Sequence, residues 1–282
     1  MARGAWRIWK LCSSARTDWS RLRKGAARVS ELCVRMDPLN PGQFFACCGL
    51  LELIDLEKPG ALSRFVLDPS QPRVARFHIL ENVNLKEILG RLRSAKPEFA
   101  DEESDPPTLP AMLPYNGQTL VLDWWLDEFR SETVPLKCWA GQVTTAKLFS
   151  ELLPLLDEDS SGDDLFERSR MTKSKFGVDP RSAWNALNFG FSPNEHGNDA
   201  ATFPAVDTLA AIGLQGFRPN GGRQLVYRLW HEPLPAAVAR VAFRSSWDGL
   251  PGRAYRFSID KRGQSYKYFA FASEERKENE EK

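Results

Sequence analysis

Between Arg168 and Pro219 the chain interleaves cations with aromatic rings in a way that suits a polyanion carrying flat bases. Arg168, Arg170, Lys173, Lys175 and Arg181 are mixed with Phe176, Trp184, Phe189 and Phe191. Cations neutralise phosphates, and ring faces accept stacked bases of any identity. The competing reading is a surface loop over a core, with solvated charges. Downstream, Glu195-His196-Gly197-Asn198-Asp199 offers groups for metal binding or general acid–base work. A polar turn entering a helix at Pro204, capped by Asp199 or Thr202, accounts for the same residues.

Other catalytic frameworks are missing from the sequence. There is no phosphate-binding Gly-x-x-x-x-Gly-Lys-Ser/Thr, no Gly-x-Gly-x-x-Gly and no Gly-x-Ser-x-Gly elbow. His78, His196 and His231 are the only histidines, too few to assemble a His-rich metal nuclease centre. The acidic run Asp157-Glu-Asp-Ser-Ser-Gly-Asp-Asp lacks the closing Glu of a calcium loop. It reads as a surface loop that repels misplaced polyanion or simply keeps the surface soluble. No metal or other cofactor is expected. The five cysteines, Cys12, Cys33, Cys47, Cys48 and Cys138, are odd in number and form no Cys-x-x-Cys pair. That argues against a disulfide framework or zinc site and for a reducing cytoplasm. No apolar run approaches the roughly 20 residues of a membrane span, and the N-terminus lacks the apolar core of a secretory signal.

Charge is unevenly spread. The net +1 of the 282 residues hides nine Lys/Arg against Asp18 and Glu31 in residues 1–36, with an acidic balance over the rest. Any nucleic-acid contact by the body must therefore come from local patches. Residues 1–36 read as a basic extension, either a flexible arm on nucleic acid or the product of an upstream start with Met36 as the natural first residue.

The elements that must position these groups begin at Asp37. Asn40 can cap a helix with Pro41 at its first position. Phe44, Phe45, Cys47, Cys48, Leu51 and Ile54 make that helix apolar on nearly every side, as in a core. Leu62–Leu67 and Val74–Leu80 alternate as strands, His78 packing within the second. Leu85–Leu92 reads as a helix capped by Asn84, Thr119–Trp125 as a strand and Thr144–Leu156 as an amphipathic helix. Residues 98–110 read as an acidic, Pro-rich loop. Pro204–Leu214 is a small-residue helix, and Ala210-Ala-Ile-Gly-Leu echoes Ala46-Cys-Cys-Gly-Leu. Arg223–Trp230, Arg253–Ile259 and Tyr266–Phe271 read as strands, the last two as a hairpin. Pro235–Ala242 suits helix or strand. Without a regular βαβ rhythm the class is α+β, with mixed or antiparallel sheets and packed helices. Two lobes, 37–157 and 158–273, are expected, followed by a charged tail 274–282.

The chain resembles a CRISPR-associated family, a small effector subunit with a large-subunit-like role in type I-U (I-G) systems. The residues that carry the resemblance run from Asn40-Pro-Gly-Gln-Phe-Phe-Ala-Cys-Cys-Gly-Leu-Leu-Glu-Leu through Phe176-Gly-Val-Asp-Pro-Arg-Ser-Ala-Trp-Asn-Ala-Leu-Asn-Phe-Gly-Phe-Ser-Pro-Asn-Glu. Phe203-Pro-Ala-Val-Asp-Thr-Leu-Ala-Ala-Ile-Gly-Leu-Gln and Tyr227-Arg-Leu-Trp-His-Glu-Pro-Leu-Pro continue it, and it spans residues 37 to about 271. The resemblance implies a non-catalytic part of a Cascade-type surveillance complex in antiviral defence. Its partners would be guide RNA, target DNA, the other effector subunits and the helicase-nuclease. Guide pairing would read sequence while the protein reads a short adjacent duplex motif. Lys173, Lys175 and Arg181 would then contact guanine edges, with Phe176 or Trp184 stacking or wedging. Arg218, Arg223, Lys261 and Arg262 would grip phosphates. The alternative is a metal-independent endoribonuclease that trims guide precursors, using His196 with Lys173 or Lys175. A third reading is a structural adaptor whose apolar helices serve partners.

Overall fold

The computed structural model describes residues 31–99, 110–130, 132–139, 143–183, 200–219, 224–244, 251–262 and 266–275. The chain enters through β1 (Leu32–Met36), whose Val34 and Met36 are buried. A boundary after residue 36 is therefore corrected, because a core strand occupies the last part of the supposed extension. Helix α1 (Pro41–Glu57) follows, with Asn40 Oδ1 accepting from the Gln43 amide at 3.2 Å and Pro41 at its first position. Next come β2 (Leu62–Leu67), β3 (Ala75–Ile79), α2 (Leu85–Ser94), β4 (Glu98–Phe99), β5 (Ala111–Tyr115) and β6 (Gln118–Leu122). Helix α3 (Thr145–Leu152), β7 (Arg170–Thr172), β8 (Ala200–Thr202) and α4 (Pro204–Gly216) form the middle of the chain. The last part holds β9 (Gln224–Trp230), β10 (Leu234–Pro235), α5 (Ala236–Ala242), β11 (Gly252–Arg262), β12 (Tyr266–Phe269) and β13 (Ser273–Glu274).

The architecture is α+β. Every strand pairing among the described residues is antiparallel. One sheet runs β1-β3-β2-β10. In another, the first part of β11 pairs with β9 on one edge and with β13 on the other, and its last part pairs with β12. Smaller ladders join β4-β5-β6 and β7-β8. The β5–β6 turn places Asn116 and Gly117 at φ 49° and 75°, as an Asn-Gly hairpin requires.

The two expected lobes share one core, and α1 and α4 cross inside it. A Cβ at Gly49 would stand 1.9 Å from the Leu209 carbonyl oxygen, and one at Gly213 would stand 2.0 Å from that of Phe45. The two helices touch backbone to backbone there, and the sequence echo between them is this crossing. Both helices are buried along most of their length, so their apolar faces fill the chain's own core. Around α1, Phe44 stacks on Tyr227 at 4.4 Å between ring centres, and the Trp230 indole donates to the Ser63 carbonyl at 2.9 Å. A second aromatic cluster gathers Trp124, Trp125, Trp139, Phe149 and Phe176. Trp124 and Trp125 leave strand geometry to join it, which ends β6 at Leu122. Pro235–Ala242 resolves into the β10–α5 junction, with Ala236, Ala239 and Ala242 facing the core at helical spacing. Ser273 and Glu274 form β13, so the sheet extends past residue 273. Among the described residues no helix is long and apolar enough to cross a membrane.

Candidate functional site

The expected basic stretch is drawn into the fold. Arg168 donates to Asp164 at 2.6 Å and to Asp157 at 2.5 Å, and Arg170 reaches Asp157 at 3.3 Å. The acidic loop thus neutralises its own neighbours, and Arg168 holds the Asp157 carboxyl below the usual carboxylate range. Lys173, on the turn after β7, is exposed. Lys175 is buried, its Nζ donating to the Ser182 carbonyl, so it is not placed to read a guanine edge. Phe176 is fully buried, edge-on to Trp139 and Phe149 at 5.3 Å each, with no free face for a base. Arg181 lies over the Phe203 ring at 3.6 Å and pairs with Asp179 at 2.7 Å and Glu167 at 2.9 Å. Arg218 reaches Asp123 at 3.5 Å.

Lys261 is exposed on β11, directly opposite Lys267 on β12, and Arg262 stands opposite Tyr266. Trp184, Arg223 and His196 lie outside the described residues, as do Phe189 and Phe191. Of the candidate residues, Lys175, Phe176 and Arg181 are therefore brought together as a structural junction, and Lys173, Arg218, Lys261 and Arg262 are not part of it.

At that junction the N-terminal turn of α4 meets the cap of α1. Asp179, fully buried, accepts from Asn40 Nδ2 at 2.9 Å and from the Arg181 amide at 2.9 Å. Asp207, one turn into α4, is fully buried, and neither carboxyl oxygen meets a donor at hydrogen-bonding geometry. The Val178 amide still lies close enough to favour its anion. Burial first, then the charge of Asp179, push the Asp207 carboxyl up to about 7, against the pull of Lys175 and Arg181. Such surroundings disfavour its charged form.

A different cluster, hidden from the sequence, lies on the outer face of the first sheet. The register places Cys33 opposite His78 and His78 opposite Arg64, with Arg35 opposite Arg76 one row away. Alternate residues Val34, Phe65, Phe77 and Ile79 turn to the core, so this row turns outward. Arg76 pairs with Asp163 at 2.8 Å. Neither Arg35 nor Arg64 meets a carboxylate among the described residues, and Arg64 Nε is buried without a partner. Cys33 Sγ lies 4.0 Å from His78 Nε2 and 3.6 Å from Arg76 Nη1. His78 Nδ1 lies 2.9 Å from a Glu31 carboxylate oxygen, an ion-pair contact without the angle of a directed hydrogen bond. The period-2 pattern of Leu32–Met36 is the sequence signal for this face, but its cross-strand partners are set by the fold.

No group of three or more His, Cys, Asp or Glu among the described residues is arranged to hold a metal ion. Comparisons with protein-family models, with curated proteins and with solved structures gave no match to this chain.

Proposed function

We propose that this chain is a non-catalytic subunit of a CRISPR RNA-guided surveillance complex that contacts guide RNA or target DNA through local basic patches. The observation that carries the nucleic-acid part is the outer face of the first sheet, where Arg35, Arg64, Arg76 and His78 stand on three adjacent strands. Arg76 already has Asp163 as its counterion, whereas Arg35 beside it and Arg64 meet no carboxylate among the described residues, which suits an external anion. Lys173, Lys261 and Arg262 remain the candidates outside this face. The resemblance in sequence supplies the partners: guide RNA, target DNA, the other effector subunits and the helicase-nuclease.

The test is titration of the purified chain onto a labelled single-stranded oligonucleotide at several salt concentrations. Binding that weakens with salt is expected. An Arg35→Gln/Arg64→Gln variant should reduce the log–log salt slope by about 1.4, or 0.7 for each lost phosphate contact. Co-purification with guide-loaded effector subunits tests the assembly. No binding at low salt together with no co-purification overturns the reading. Cleavage of repeat RNA in chelator, lost on His196→Ala, replaces it with the endoribonuclease reading.

A further inference from the structure

We propose that Cys33 is a reactive thiol, a site of mixed-disulfide formation with small anionic disulfides, activated by His78 and Arg76. The geometry is that of an activated sulfur nucleophile. The imidazole Nε2 faces the sulfur, a carboxylate faces the other ring nitrogen, and a guanidinium flanks the sulfur from the same face. A base beside the thiol, with a carboxylate charge near its other nitrogen, favours the form that makes a weak nucleophile effective. Cys33 is half-buried, whereas Cys47, Cys48 and Cys138 are enclosed in the core.

The electrostatics agree with the geometry. Contact with His78 first, and with Arg76 after it, lowers the Cys33 thiol, while contact with Cys33 raises His78. Burial pushes Cys47, Cys48 and Cys138 the other way. The charged groups facing Cys33 and His78 are Glu31 before β1, Arg35 on β1, Arg64 on β2, Arg76 on β3 and Asp163 from the acidic loop. Three of these are cations on the open face, which favours an anionic reagent such as glutathione disulfide. In the reaction the Cys33 thiolate attacks one sulfur of the disulfide and the S–S bond breaks. The other half leaves as a thiolate that takes a proton from water. The Cys33 sulfur is oxidised and the departing sulfur is reduced, so no further oxidant is needed.

The experiment is pulsed iodoacetamide labelling of the folded full chain across pH, read by peptide mapping that separates Cys33 from Cys12. It is repeated with glutathione disulfide and intact-mass detection. Cys33 should label with a midpoint below that of an ordinary thiol, and should take up one glutathionyl group. In His78→Ala the midpoint should rise and the rate at pH 7 should fall about tenfold. Arg76→Gln, an exposed substitution, should move it the same way by less and covers the case in which His78→Ala fails to fold. Two results overturn the proposal. One is a Cys33 midpoint equal to that of the urea-unfolded chain, and the other is a midpoint unmoved in both variants. Neither readout depends on nucleic acid.

Discussion

Replacing Gly49 by Ala is expected to destabilise the fold by about 3 kcal/mol or more, a large part of the roughly 5–15 kcal/mol that holds a domain together. The new methyl would stand 1.9 Å from the Leu209 carbonyl oxygen and 3.1 Å from the Gly213 amide nitrogen. Both obstacles are backbone of the crossing helix, so no side-chain rotation relieves the clash. Only separation of α1 and α4 does, and that opens the core around Phe45 and Leu209. Gly213→Ala should cost a similar amount, its Cβ meeting Phe45 oxygen at 2.0 Å and Gly49 nitrogen at 2.7 Å. Because both methyls enter the same gap, the double variant should cost less than the sum of the singles. One displacement of the helices makes room for both. Urea unfolding of the two singles and the double measures this. A Gly49→Ala unfolding free energy within about 0.5 kcal/mol of wild type would show that the crossing gives way at little cost.

The parts of the fold that local chemistry decides were legible in the sequence. Asn40 and Pro41 announce the start of α1, and Pro204 that of α4. The alternation in Leu62–Leu67 and in the Val74–Leu80 run yields β2 and β3. The glycine-containing echo marked the two helices but not their contact, because backbone approach depends on two segments far apart in the chain. β1 escaped for a related reason. Its five residues alternate plainly, yet they sit at the end of a basic segment and are strand only because β3 pairs with them. The site was harder to read. Charge is visible in a sequence, while its counterion is not. Arg168, Arg170 and Arg181 read as a surface for polyanion until Asp157, Asp164, Glu167 and Asp179 are seen beside them. Phe176 is aromatic for packing, and the local spacing of rings cannot tell packing from stacking. Cys33, His78 and Glu31 needed strand register, which no local pattern carries.

Asp207 gives the second large effect, and its sign follows from where its proton resides. In the unfolded chain this carboxyl ionises near 3.8, whereas in the folded chain burial and the charge of Asp179 raise it to about 7. Between those values the folded state holds a proton that the unfolded state has released. Stability therefore falls as pH rises through the window, and the loss is complete above the folded value. Three pH units correspond to roughly 4 kcal/mol at most. Asp207→Asn keeps the shape of the side chain and removes the titration. Relative to wild type, the variant should gain Tm from pH 5 to about pH 7 and level off above it, reaching on the order of 10 °C. Reading the difference between the two proteins cancels the titration of His78, which both retain. Parallel Tm curves across that range would mean that Asp207 ionises in the fold as it does in water. The junction would then already stabilise its anion through Lys175, Arg181 and the Val178 amide. A rising difference would instead identify a carboxylic acid kept neutral inside the junction of α1, α4 and the 172–182 segment. That segment is the one whose basic and aromatic composition first pointed to nucleic acid, and its chemistry would then be explained by the interior it closes.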